Sequence, residues 1–364
     1  MTRLRRLLSG MASTRTSYDV VVLAGDIGGT NTNLALIGKK GGTFTLILDR
    51  HYRTKDEPSL IEPLGRFLAE AAREKKGLAP ELCCISGAGP VVEGRIELLT
   101  NAPWGIDAKA IQSTFSIPTT LINDFTAVSY GVILLDPTKP EQITRLPHCD
   151  GSLPEPRPGV RLVVGAGTGL GVGYVVKVRN KIEAQPSEGG HVTLPAYDEE
   201  SRGLQRWLEA KYGFVPGAEA GVSGQGIANI FAYLSEKESA EGLAPGKSAR
   251  KILDTPEAER PALVAASASS DPLCAKAMDL FVKLYARVAA DHTATFLPAG
   301  GVFLAGGIAS KNEAFFLEGG RFMSMYEKSY AKHIRAILAG TPVMIVKDYS
   351  ISLYGAANAA VELA

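Results

Sequence analysis

Val20-Val21-Val22-Leu23-Ala24-Gly25-Asp26-Ile27-Gly28-Gly29-Thr30-Asn31 opens the interpretable part of the chain and decides its class. Three valines, Leu23 and Ala24 form a continuous apolar run, the pattern of a strand buried on both faces. The run ends in a glycine-rich turn with Asp26 just ahead of it, and residues 34–37 resume as strand. About 140 residues later the pattern returns: strand 161–164, the turn Gly165-Ala166-Gly167-Thr168-Gly169, and strand 172–178. Such an echo is internal duplication of a supersecondary unit.

Working outward, residues 43–48 read as a third strand and 59–75 as a helix, with Leu60, Leu64, Phe67, Leu68 and Ala71 on one face. Residues 82–86, 95–99 and 119–122 read as strands, the last ending in Asn123-Asp124. Pro137, Pro140, Pro147, Pro154, Pro156 and Pro158 make 136–159 a long surface loop or a link between lobes. Residues 235–271 are polar and weakly patterned, an insertion of short helices. Met278, Phe281, Val282, Tyr285, Val288 and Ala289 then define an amphipathic helix, 302–305 and 343–346 are strands, and 353–363 is an Ala-rich terminal helix.

The 364 residues are ample for a sizeable core, and 45% hydrophobic with 21% charged residues excludes wholesale disorder. With 39 Lys and Arg against 38 Asp and Glu, no global field favours nucleic acid or an anionic membrane. The longest uncharged stretch, 293–310, is broken by Pro298 and four glycines and reads as helix end, turn, strand and turn, not as a membrane span. Cys83, Cys84, Cys149 and Cys274 form no CxxC pair, so a reducing compartment is expected. Residues 1–17, with Arg3, Arg5, Arg6 and Arg15 and no acid, read as a basic flexible extension or a transit-type segment.

Two phosphate motifs fail. Gly246-Lys247-Ser248 lacks the P-loop spacing to Gly242 and a preceding strand. The glycine series from Gly165 to Gly173 has Leu170 where a dinucleotide fingerprint needs its third glycine, and a strand follows where a helix is required. Both glycine turns instead join two strands and are hairpin tips. Glycine there tolerates positive φ and admits a polyphosphate close to the backbone, with Thr30, Asn31 and Thr168 as polar contacts. Asp26 suits a magnesium ion held through its waters. The competing reading is two ordinary tight hairpins.

Asp26-Ile27-Gly28-Gly29-Thr30-Asn31, Leu121-Ile122-Asn123-Asp124-Phe125, Gly167-Thr168-Gly169-Leu170-Gly171, Ser187-Glu188-Gly189-Gly190-His191 and Leu304-Ala305-Gly306-Gly307-Ile308 occur in that order. Together they resemble the bacterial-type glucokinases, over residues 18–360, and the long loops and basic N-terminus most resemble the kinetoplastid members. The resemblance implies a two-lobed, actin-like (ribonuclease H-like) α/β fold. A small lobe would comprise 18–134 plus 343–364 and a large lobe 135–342, closing on the sugar to exclude water. It implies ATP-dependent phosphorylation of D-glucose with Mg²⁺, in a homodimer, in the cytoplasm or a glycosome. The zinc-bearing repressor/kinase relatives carry a cysteine cluster after the Glu-Gly-His element, which is missing here.

On the same resemblance Asp124 is the general base, where the residues alone allow a plain helix N-cap. Asn123, Glu188, His191 and Glu219 are placed at the sugar rim, Glu219 by the looser stretch Ala218-Glu219-Ala220-Gly221. Glu188 and His191 alternatively read as a metal pair lacking a third ligand. Gly28, Gly29, Thr30, Asn31, Gly167, Thr168 and Gly169 contact the phosphates, and Gly306 and Gly307 let the backbone lie against adenine. His51, His148, His292 and His333 receive no role. The rivals are a kinase for another hexose and a non-catalytic actin- or Hsp70-like ATP-binding module.

Overall fold

A computed structural model describes residues 18–99, 102–179, 181–243, 245–348 and 350–364. The basic extension 1–17 lies outside the described residues. The chain divides into two compact units, one running up to Ala127 and resuming at Ser350–Ala364, the other Val128–Tyr349.

The first unit starts with β1 (Val20–Ile27) and β2 (Asn31–Lys40), an antiparallel hairpin whose register pairs Ile27 with Thr32. β3 (Thr43–Arg53) extends five residues past its apolar segment, because its charged end keeps pairing with β2 and Arg50 binds Glu70 and Glu74. Those glutamates lie on α1 (Ile61–Glu74), which buries Leu64, Phe67 and Ala71. β4 (Leu82–Gly87) adds parallel to β1 and buries Cys83 and Cys84. The expected strand 95–99 shrinks to β5 (Arg95–Ile96), paired with β6 (Ile106–Asp107). Asp107 then caps α2 (Ala108–Phe115), β7 (Thr119–Asn123) runs parallel to β4, and α3 (Asp124–Gly131) follows without a break. The sheet order is β3-β2-β1-β4-β7. The terminal helix, Ile351–Leu363, packs on β1 and β4 through buried Gly355, Ala356 and Ala359, small residues that allow close approach.

In the second unit β8 (Ile143–Arg145) is a strand inside the proline-rich segment, so that segment is not all loop. β9 (Arg161–Ala166) and β10 (Leu170–Val178) form the second hairpin, continued by β11 (Lys181–Ser187). Helices α4 (Glu199–Tyr212), α5 (Gly224–Ala240), α6 (Lys247–Leu253) and α7 (Arg260–Ser267) precede α8 (Pro272–Phe296). Gly246 merely precedes α6, and among the described residues the element before it is α5, not the strand that a P-loop requires. Asp271 caps α8 by accepting from the amides of Leu273 and Cys274, and the helix buries Met278, Phe281, Tyr285 and Val288. β12 (Val302–Ala305) lies parallel to β9, short helices α9 (Gly307–Lys311), α10 (Glu313–Leu317), α11 (Arg321–Tyr326) and α12 (Lys332–Ala339) follow, and β13 (Val343–Val346) closes the set.

The sheet order is β11-β10-β9-β12-β13-β8. Its first five strands repeat the first sheet: an antiparallel meander of three, then two added in parallel. The duplicated hairpin is therefore the visible edge of a duplicated sheet. One expected boundary moves: the small lobe expected from the sequence includes residues 343–346, but as β13 they pair with β12 and β8 and belong to the second unit. Likewise the division at 134 moves to Ala127, within α3. No helix among the described residues is long and apolar enough to cross a membrane.

Candidate active site

In the first unit Asp26, Ser86 and Asn123 end neighbouring parallel strands, with Asp26 in register with Ser86 and Gly87 with Asn123. Carboxyl ends of parallel strands are where open α/β sheets collect ligands. Asp26 is half-buried, and burial raises its pKa above the ordinary 3.8, while hydrogen bonds from Ser352 (2.8 Å), Asn33 and Ser86 act the other way. Among the described residues no Lys or Arg forms a salt bridge with it.

Asp124 starts α3, and its Oδ1 accepts from the Phe125 amide at 2.8 Å, while Asn123 Oδ1 accepts from the same amide at 2.9 Å. The local N-cap role is thus shared with Asn123, whose amide also donates to the Gly89 carbonyl at 3.1 Å. Burial raises the Asp124 pKa, the Phe125 amide lowers it, and the charge of Asp26 raises it further. Burial thus raises both carboxyls above their ordinary value, the direction in which a group able to take up a proton is shifted.

The first tip is fixed by the Gly28 amide donating to the Asn31 carbonyl at 2.8 Å. Among the described residues the amides of Gly29 and Thr30 have no protein partner. In the second unit the Gly167 amide donates to the Gly169 carbonyl at 2.8 Å, and the amides of Thr168 and Gly169 are likewise without a protein partner. Positive φ is not what these tips need. Neither Gly28 nor Gly167 lies in the left-handed region, and a Cβ would meet only the Asn31 carbonyl oxygen at 3.6 Å in one case and nothing within 4 Å in the other. Gly306 is the constrained one: φ is +85°, and a Cβ would stand 2.4 Å from the Ala166 carbonyl oxygen.

A cleft of about 720 Å³ opens beside the second tip. Gly167 and Thr168, Gly224 and Gln225 of α5, Ala262 and Ala265 of α7, and Gly307 and Lys311 of α9 line it. Gly224 donates to the Gly167 carbonyl at 2.8 Å, so the start of α5 is fastened to the hairpin. Gln225, Lys311 and the alanine face of α7 carry no motif in the sequence. The only local signal is Ser223, which caps α5 by accepting from Gly226.

Glu188, Gly189, Gly190 and His191 form a turn between β11 and the segment leading to α4, with the His191 amide bonded to the Glu188 carbonyl at 2.9 Å. Glu188 and His191 are exposed, with carboxylate and imidazole 3.8 Å apart. No group of three metal-ligating residues exists among the described residues, so the metal-pair reading gains nothing. Glu219 is brought to the second hairpin. Its Oε2 accepts from the Leu170 amide at 2.7 Å, and a Cβ on Gly169 would lie 2.5 Å from that oxygen. Its turn adjoins that of His191 through the Ala218 amide, bonded to the Val192 carbonyl at 2.7 Å.

The family model described as Glucokinase matches residues 23–363. The chain is 33% identical to a glucokinase of a Nostoc species, covering 94% of this chain and 99% of that protein, and 32% identical to one of Nostoc punctiforme with the same coverage. Among solved structures it superposes on glucokinase from an Antarctic psychrotroph with TM-score 0.77, 24% identity and coverage of 94% and 98% of the two chains. Leishmania braziliensis glucokinase gives TM-score 0.73 at 21% identity, with coverage of 99% and 97%. A Streptomyces griseus glucokinase of the ROK family, in complex with glucose and AMPPNP, gives 0.58 at 17%, with coverage of 94% and 99%. These establish the fold as that of the actin-like ATPase sugar kinases. On the match of the family model over nearly its whole length, the chain belongs to the glucokinase family.

Proposed function

We propose that the protein transfers the γ-phosphoryl group of ATP to the 6-hydroxyl of D-glucose, giving glucose 6-phosphate and ADP, with Asp124 as the base. The hydroxyl oxygen attacks phosphorus, its proton passes to the Asp124 carboxylate, and the bond to the β–γ bridging oxygen breaks. The observation that carries this reading is the Asp124 carboxyl itself, raised by burial at the end of β7, in a chain of the glucokinase family.

Asn123, Glu188, His191 and Glu219 are assigned to the sugar hydroxyls. Carboxylates and imidazole suit a pyranose rim, since they accept from or donate to hydroxyls in fixed directions. The free amides of Gly29, Thr30, Thr168 and Gly169 suit phosphate oxygens, helped by Asn31, by Gly28 and Gly167, and by the start of α5. The alanine face and glycines of the 720 Å³ cleft, with Gly306 and Gly307, suit a flat base. Asp26 offers a hard oxygen donor without a cationic partner among the described residues, which fits Mg²⁺ held through water. That ion would neutralise phosphate charge. The resemblance further implies a first step of glycolysis and a homodimer, which sedimentation at working concentration checks.

The test is glucose-dependent ADP formation by purified protein, with Asp124→Asn alongside. Loss of turnover with glucose binding retained supports the assignment, and equal turnover of the two proteins overturns it.

A further inference from the structure

His292 received no role from the sequence, yet the structure buries it in the second unit against the turn that carries Glu188 and His191. It sits near the end of α8, 7% exposed, with its ring stacked on Phe296, which in turn stacks on Tyr174. Its Nε2 lies 3.2 Å from the Gly189 carbonyl oxygen. A carbonyl only accepts, so Nε2 must carry the proton. Burial lowers the His292 pKa, which favours the neutral ring with Nδ1 unprotonated.

Gly189 is held from every side. Its amide donates to Ser187 Oγ at 2.8 Å. A Cβ there would meet Val172 Cβ at 2.8 Å, Ser187 Oγ at 2.9 Å and His292 Cε1 at 3.0 Å. On the next residue a Cβ would lie 2.0 Å from the Leu170 carbonyl oxygen. The turn is thus wedged between the backbone of β10 and the imidazole of α8, while Glu188 and His191 project from it into solvent. Among the described residues, the side chain that donates to this turn from the long core helix is that of His292.

We propose that His292 is the positioning residue of the sugar-binding turn: its Nε2–H, held rigid by α8 and the Phe296 stack, fixes the Gly189 carbonyl and thereby the directions of Glu188 and His191. The inference rests on the assignment of those two residues to glucose. A turn braced by a buried hydrogen bond from a long core helix presents its side chains in one arrangement, so that bond contributes to sugar binding without touching the sugar. Its hydrogen bond goes to the sugar-binding turn and not to the Gly167–Gly169 tip, so glucose binding should change more than ATP binding.

Four proteins test this: wild type, Glu188→Gln, His292→Leu, which removes the donor, and His292→Gln, whose side-chain amide can reach the same carbonyl. Glucose binding is read by titration calorimetry, the KM for ATP by coupled assay, and folding by thermal unfolding. The expected result for His292→Leu is a glucose Kd raised about tenfold, the worth of one net hydrogen bond, with the KM for ATP unchanged. For His292→Gln it is a Kd within about threefold of wild type. Wild-type glucose binding by His292→Leu, with Glu188→Gln impaired, overturns the role of His292 alone. Equal loss in the Leu and Gln variants, or parallel loss of ATP affinity, also overturns it, because either marks a general packing role. Wild-type glucose binding by Glu188→Gln overturns the sugar assignment beneath it.

Discussion

Replacing Gly167 by valine separates ligand chemistry from folding. Its φ is outside the left-handed region, and a Cβ there meets no atom within 4 Å. The folded state therefore accepts the side chain, and stability should change by less than about 1 kcal/mol in either direction. The valine would instead add bulk to the tip whose Thr168 and Gly169 amides have no protein partner among the described residues. If those amides hold phosphate, two hydrogen bonds to a charged group are lost, at ~1.5–3 kcal/mol each, so ATP affinity should fall by ~10²–10⁴. Gly306→Ala is the counter-case. With φ at +85° and the Ala166 carbonyl oxygen 2.4 Å from the new Cβ, it should lower the unfolding temperature, whatever it does to activity. Thermal unfolding, glucose calorimetry and the KM for ATP are measured on both. A folded Gly167→Val protein with wild-type KM for ATP would refute the assignment of the second hairpin to phosphate.

Asp124→Asn should lower turnover by ~10²–10⁴ while leaving glucose binding within a few-fold of wild type, as single-turnover kinetics and calorimetry will report. Because burial and Asp26 raise the Asp124 pKa, its ionised, active form is lost as pH falls through a value above 3.8, so the acid limb of kcat/KM should lie above the ordinary carboxylate range. The same shift makes the protonated form the one favoured by folding, so this group's contribution to stability is full below its unfolded pKa and is lost as pH rises through the folded one. Thermal unfolding across that range should show the Asp124→Asn protein losing less stability than wild type on the way to neutral pH. Glu188→Gln and His191→Ala should each raise the KM for glucose more than the KM for ATP; the reverse order would move this turn to the nucleotide.

The hairpins were legible because a glycine turn between two apolar runs has few other solutions, and their repetition exposed the duplicated sheet. Elements without an apolar pattern stayed hidden. β11 reads Lys-Ile-Glu-Ala-Gln-Pro-Ser, and the far end of β3 reads Asp-Arg-His-Tyr-Arg; both are strands because a neighbour offers its hydrogen bonds. β8 was masked by prolines that flank it without interrupting its three residues. α4 is polar along most of its length, and its clearest mark is the capping box of Asp198 and Ser201. At the site the motif residues were legible and their supports were not. Ser352 reaches Asp26 across 326 positions and His292 reaches Gly189 across 103, separations that no spacing rule encodes. The alanines of α7 look like any small-residue helix face until the fold sets them in one cleft with Gly307.

One measurement bears most directly on the central claim: ATP consumption and sugar phosphate formation by the purified wild-type protein, with glucose, mannose, fructose and glucosamine compared at equal concentration with Mg²⁺ present. The account predicts ADP and glucose 6-phosphate formed one to one, with glucose giving the highest kcat/KM. ATP hydrolysis indifferent to every sugar, or a clear preference for another hexose, would contradict it.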